Sequence, residues 1–279
     1  MEQKTQITTE HRFVSPEDAF ELLKANSRNR PMKPARVLEL VKEMECGRWV
    51  FNGEPIQFTK GGVMLNGQHR LAAIVKSKIG QEMFLMSGLE DRAFGTYDVG
   101  GRRGAADVLA INDIPNPRRV AAMIKAYIHL RVGRLLSLKN NGAFVGSCAI
   151  TNTEVLEEYR KSESLFQEIS KNSYLCYAKL KMMNASEIGG YMAYLIIEKN
   201  HPDEKVYSFF HQLTHSEGVE NSTINVLREK LVNAKMTNYK MTSRYRKAVI
   251  IKTWNAFVQG KEFKTVTFNE VKDIYPEFM

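Results

Sequence analysis

Residues 63–74 read Val-Met-Leu-Asn-Gly-Gln-His-Arg-Leu-Ala-Ala-Ile, and no other run constrains the chain as much. The short apolar stretch Val63–Leu65 breaks at Asn66-Gly67. A new apolar pattern then opens at Leu71, with Ala72, Ala73, Ile74 and Val75 behind it. This predicts a strand, a tight turn and the first turn of a helix. The amides of a first helical turn have no intrahelical partners and carry a partial positive charge, so such an end attracts anions, phosphate above all. Gly67 would let the backbone approach a ligand closely, and Arg70 offers a two-pronged grip on an oxyanion. A plain turn into a helix, with its polar residues facing water, fits the same residues equally well.

The patterns on either side of this run set the fold class. Ser15-Pro16-Glu17 is a helix start, followed by the apolar face Ala19, Phe20, Leu22 and Leu23 over 16–25. After the loop Asn26–Pro31, a second helix opens near Pro34. It runs through Val37, Leu38, Leu40, Val41 and Met44 and stops at Gly47. Pro55–Thr59, the turn Lys60-Gly61-Gly62 and Val63–Leu65 predict a β-hairpin, and Glu82–Met86 a further strand. A glycine-rich segment, 95–104, leads into a helix over 105–111. Beyond it the periodicity predicts helices at 117–136, 152–170, 186–199, 203–214, 222–234 and 242–259. The chain therefore reads as α+β, a small mixed α/β domain over 1–104 followed by a mainly helical, basic region over 105–279.

Charge sharpens the reading of the second part. The net charge is +9 and the pI about 9.3. Residues 1–100 hold 14 Lys and Arg against 13 Asp and Glu, whereas residues 101–140 hold 8 against 2. A second basic stretch runs through Lys230, Lys235, Lys240, Arg244, Arg246, Lys247 and Lys252. Basic surfaces attract polyanions, which makes DNA the natural partner, although a mildly basic protein need not bind it. No apolar run approaches the ~20 residues of a membrane helix. The first residues are polar, so a cytoplasmic protein is expected. Cys46, Cys148 and Cys176 are far apart with no CxxC spacing and read as reduced thiols.

Four features occur in order within the first hundred residues: Asn29-Arg30-Pro31, a helix ending at Gly47, the Pro55-Ile56 strand, and Gly67-Gln68-His69-Arg70. Together they resemble the N-terminal domain of the ParB/sulfiredoxin superfamily. Asn66 stands where related DNA-modification proteins carry an aspartate. The segments Asp98-Val99-Gly100, Ala106–Leu109 and Ile250–Asn255 resemble those of phage proteins with a ParB-like N-terminus, which would place the protein in a host-cell cytoplasm. The resemblance implies a site for ATP or CTP with Mg2+. Gly67, Gln68, His69 and Arg70 would cradle the phosphates, and Arg30 would reach them from the preceding loop. Gln68 occupies the position of the sulfiredoxin cysteine, so sulfinic acid reduction is not implied. The single arginine and the lack of a helix-turn-helix pattern speak against a partitioning clamp. Free-serine kinases of the superfamily keep a His-Arg pair and use a carboxylate base.

Several residues are candidates for the chemistry. Glu54, directly before the Pro55-Ile56 strand, is placed to act as general base or to hold magnesium, since phosphoryl transfer needs positioning and charge neutralisation. A solvated turn glutamate is the plainer alternative. His69 is suited to donate to a phosphate or relay a proton. Asp98, in the glycine-rich loop, is a second candidate carboxylate. Arg102 and Arg103 suit a second phosphate or a DNA backbone contact, or an ordinary salt-bridged loop with Asp107 as partner. Lys240, Arg244 and Arg246, interleaved with Tyr239, Tyr245 and Trp254, suit nucleic-acid contacts. Trp254 itself lies on an apolar helical face and is expected to be buried. His211 and His215 lack the HExxH context of a metal site.

The expectation is a nucleotide-binding ParB-like protein acting on or near DNA by phosphoryl transfer or phosphate-ester hydrolysis. The alternative is a non-catalytic DNA-binding or regulatory protein whose pocket senses a nucleotide. Nuclease activity ranks last, for want of a carboxylate cluster, and the oligomeric state is open, a homodimer included.

Overall fold

The structure is a computed structural model that describes residues 7–27, 29, 31–96, 103–132, 150–181, 183–215, 222–239 and 241–279. The expected site residues Arg30, Asp98, Arg102 and Lys240 lie outside the described residues. The described part is α+β and divides into two compact units. One holds the described residues up to Thr96, and the other those from Arg103 onward except Ile150 and Thr151.

The first unit is built on a four-stranded sheet in the order β1-β4-β2-β3, formed by β1 (Thr8–Val14), β2 (Ile56–Thr59), β3 (Met64–Asn66) and β4 (Gln81–Leu89). β1 runs antiparallel to β4, β4 parallel to β2, and β2 antiparallel to β3. Three helices accompany it: α1 (Pro16–Leu23), α2 (Pro34–Glu45) and α3 (Gln68–Ser77). Alternation along the strands sends Val14, Ile56, Phe58, Met64, Met83 and Leu85 into one core. There they meet Ala19 of α1, Val37, Leu40, Val41 and Met44 of α2, and Leu71 and Ile74 of α3. Helix α1 opens on a reciprocal cap: the Asp18 amide donates to Ser15 Oγ at 3.0 Å and the Ser15 amide to Asp18 Oδ2 at 3.1 Å. Strand β1 was not expected from the sequence, because only Val14 of its seven residues is buried. A short 3-10 helix follows β4 at Asp91–Thr96.

The second unit is helical: α4 (Ala105–Ile111), α5 (Pro117–Arg131), α6 (Asn152–Lys161), α7 (Glu163–Leu180), α8 (Ala185–Ala193), α9 (Asp203–Thr214), α10 (Ser222–Met236) and α11 (Ser243–Gln259). The single helix predicted over 152–170 is two, broken at Ser162, and the second continues to Leu180. A π-helical turn, Tyr194–Glu198, extends α8 where one continuous helix was expected. Helices α5 and α8 pack closely at Gly189 and Gly190. A Cβ there would come within 2.6 Å of Met123 Sδ and 2.7 Å of Ala126 Cβ. After α11 the chain is irregular but anchored, with Val266, Phe268 and Phe278 buried. Among the described residues no helix is long and apolar enough to cross a membrane.

Candidate functional site

The strand–turn–helix predicted around Gly67 is present. β3 ends at Asn66, Gly67 caps α3 with φ +113°, and Gln68 begins the helix. Its glycine answers to packing. A Cβ on Gly67 would stand 2.5 Å from Ile56 Cδ1 and 2.9 Å from Ile56 Cγ2, so the close approach it permits is to β2. The first turn of α3 lies beside the start of α2. The Lys33 amide, at the N-cap of α2, donates to His69 Nε2 at 3.0 Å. The His69 ring nitrogen facing Lys33 is therefore an acceptor. Gln68 Oε1 accepts from Asn26 Nδ2 at 3.0 Å, and Asn29 Nδ2 donates both to Asn26 Oδ1 at 2.6 Å and to the Met64 carbonyl at 2.9 Å. The loop between α1 and α2 is thus stitched to the head of α3, and two helix N-termini meet there.

Arg70 is only 9% exposed. Its guanidinium turns toward the start of β2, where Nη2 donates to the Pro55 carbonyl at 2.8 Å and Nη1 to the Glu54 carbonyl. Arg70 therefore braces the entry to β2, a role its sequence position did not announce. Burial pulls its pKa down from the ordinary arginine value. The Glu54 carboxylate opposes that shift and the neighbouring Arg36 adds to it. Glu54 Oε2 lies 3.9 Å from Nη1 on a side chain 69% exposed, so it screens the cation weakly. Arg36, in the first turn of α2, pairs with Glu39 at 2.8 Å. Lys33 and Arg36 were missed in the sequence. Their signal is a helix start with cations and no acid in its first turn, against the usual preference.

Of the residues assigned to nucleic acid, Arg103, Arg244 and Arg246 are described. Arg103 is exposed ahead of α4, and Asp107 accepts from the Gly104 amide at 2.7 Å and so caps α4. Arg246 Nη2 lies 2.9 Å from Glu187 Oε2, and Tyr191 donates to the other carboxylate oxygen at 3.3 Å. The Arg244 guanidinium stacks over the Tyr275 ring at 5.4 Å. Both arginines thus have partners within their own unit. Burial lowers the Lys247 pKa, with Glu187 opposing the shift. Trp254 is fully buried, as its helical face predicted. His211 and His215 stack at 3.8 Å, and among the described residues no group of three or more His, Cys, Asp or Glu is arranged to hold a metal ion.

No protein-family model and no curated protein matches this chain. Among solved structures, a Pnob8-like ParB-N domain is similar at 15% identity, over 89% of this chain and 99% of that one, with a TM-score of 0.22.

Proposed function

We propose that the α2–α3 junction binds the phosphates of a nucleotide, ATP or CTP with Mg2+, in a ParB-like protein that works on or near DNA. One observation carries this reading: a buried guanidinium, a second arginine and two helix N-termini converge at one place, and the carboxylate nearest Arg70 there is exposed. A buried cation without a buried counter-charge is electrostatically unfinished, and a polyphosphate would complete it. Arg70 and the head of α3 would bind phosphate oxygens, Arg36 adding its charge nearby while paired with Glu39, and Gln68 and His69 would hold the loop in place. Magnesium bound to a nucleotide takes one or two protein carboxylates and keeps several waters, and Glu54 suits one such position. Bound there, the ion would neutralise phosphate charge.

For an enzyme, Glu54 would serve as base toward an acceptor hydroxyl and Arg70 would offset the developing charge. The bonds from Arg70 to the Glu54 and Pro55 carbonyls favour the second reading, a ligand-sensing protein. A phosphate that drew the guanidinium to itself would release the start of β2, so binding and local rearrangement would be linked.

Titration calorimetry of ATP and CTP with magnesium tests the site. The wild type is expected to bind at least one of them. Arg36→Gln, which leaves the β2 brace intact but removes the partner of Glu39, should weaken that binding roughly fivefold by taking away a nearby positive charge. Absence of binding at millimolar nucleotide would sink the proposal. Release or transfer of labelled phosphate would decide for the enzyme over the sensor.

A further inference from the structure

Within the helical unit, the start of α5 and the middle of α7 enclose a cleft of about 420 Å³ lined by Asn116, Arg119, Gln167, Lys171, Tyr174 and Leu175, among others. Arg119 is fixed in it twice: Nε donates to the buried Ser170 Oγ at 2.9 Å, and its guanidinium lies over the Tyr174 ring, 4.5 Å from the centroid. Tyr174 nonetheless stays 49% exposed and Leu175 51% exposed, so α7 shows solvent a flat aromatic face beside an apolar one. Lys171 stands one turn before Tyr174 on the same helix. Glu168 is the acidic residue of the lining. Helix stability does not ask for Arg119, since an arginine in a first turn opposes the helix dipole, and α5 has no acid there.

We propose that this cleft binds single-stranded nucleic acid, a base stacking on Tyr174 while Arg119 and Lys171 hold the flanking phosphates. The chemistry selects that partner. A free phosphate has no face to offer the tyrosine, and a duplex keeps its bases stacked inside, whereas a single strand presents both features together. An arginine already held against the ring adds a cation–π contribution with little ordering cost left on binding. This deepens the DNA-associated part of the proposed function and is independent of the nucleotide site.

Fluorescence anisotropy with labelled oligothymidylate, in the absence of nucleotide, tests it on the full chain. The wild type should bind with an affinity that falls steeply with salt. Tyr174→Ala should weaken binding about fivefold or more, the least that one stacked base contributes, while Tyr174→Phe retains it. Lys171→Ala should flatten the salt dependence. Tyr174 is half exposed, so melting curves of its variants should match the wild type. Equal affinity for a duplex of the same length, unchanged affinity in Tyr174→Ala, or no binding at low salt would each overturn the proposal. Arg70→Gln should leave oligothymidylate affinity untouched, so failure here and failure of the α2–α3 site are told apart.

Discussion

Arg70 in the sheet unit and Arg246 in the helical unit are both arginines drawn out of water, and they are neutralised in opposite ways. Arg246 meets Glu187, a carboxylate only 15% exposed, and Tyr191 donates to the same group. Its charge is matched where it sits. Arg70 meets two carbonyl oxygens, which satisfy its donors but carry no net charge, and its nearest carboxylate reaches out into solvent. Pairing with Glu187 ties Arg246 into the fold, whereas carbonyl partners leave the charge of Arg70 available to an incoming anion. The position of a cation in the sequence does not tell these cases apart; the charge state of its partner does.

The largest expected effect tests the matched pair. Glu187→Ala leaves the Arg246 guanidinium beside Tyr191 without its counter-ion and removes the carboxylate that also supports Lys247. Removing one partner of a fully buried pair costs ~3–5 kcal/mol, and partial exposure here lowers that to about 2–3 kcal/mol. Chemical denaturation followed by circular dichroism reads it. A loss below about 1 kcal/mol would show that the pair is solvated, and the contrast with Arg70 would collapse.

Next in size is Gly67→Ala. The new Cβ would meet Ile56 at 2.5 Å on a backbone held at φ +113°, a clash and a strained conformation together. A cost of about 2 kcal/mol or more is expected from the two effects. Ile56→Val, which trims the obstructing side chain, should restore part of it in the double variant. Additive losses would mean that backbone strain alone fixes the glycine.

Arg70→Gln gives the direct comparison of the two arginines. It strips donors from the carbonyls at Glu54 and Pro55 and should cost about 1–2 kcal/mol. Nothing in the residue order announces this cost, because a backbone carbonyl has no signature in a side-chain pattern. In thermal melts with ATP or CTP and magnesium, nucleotide should raise the melting temperature of the wild type and of Glu187→Ala, but not of Arg70→Gln. Equal nucleotide stabilisation of Arg70→Gln would locate any ligand elsewhere.

What could be read from the sequence follows the range of the interactions. The turn at Gly67, the helix from Pro34 and the hairpin of β2 and β3 depend on neighbours a few residues away, and their pattern is plain. β1 was hidden because an edge strand with little buried surface shows almost no alternation. The break at Ser162 was hidden because apolar periodicity runs through it, although a serine followed by Glu163 was a usable cap signal. The ion pair of Arg246 has no trace in the local pattern because its partner, Glu187, lies 59 residues earlier in the chain. Of the candidate site, the strand–turn–helix that sets the head of α3 was legible. The neighbouring head of α2 was not, because the bond from Lys33 to His69 spans 36 residues.

The smallest effect concerns a pair in which neither partner is buried. Asp18 lies 2.9 Å from Arg12, yet what lowers its pKa most is the Ser15 amide, then the Ser15 hydroxyl, with Arg12 a lesser contributor. Asp18 therefore acts as a helix cap that happens to have a cation nearby. Because its folded pKa lies below the ordinary 3.8, the stability it contributes is fully present above that value and is lost as pH falls through the folded one. Asp18→Asn should accordingly be less stable than the wild type at neutral pH, and the gap should close on acidification below about pH 4. Arg12→Gln should shift stability far less than Asp18→Asn at neutral pH, and added salt should change the Asp18→Asn gap only slightly. If Arg12→Gln instead matched Asp18→Asn, the cation would outweigh the amide. An exposed ion pair would then act like the buried one at Glu187, and burial would no longer be what separates the fold's cations from those left open to a ligand.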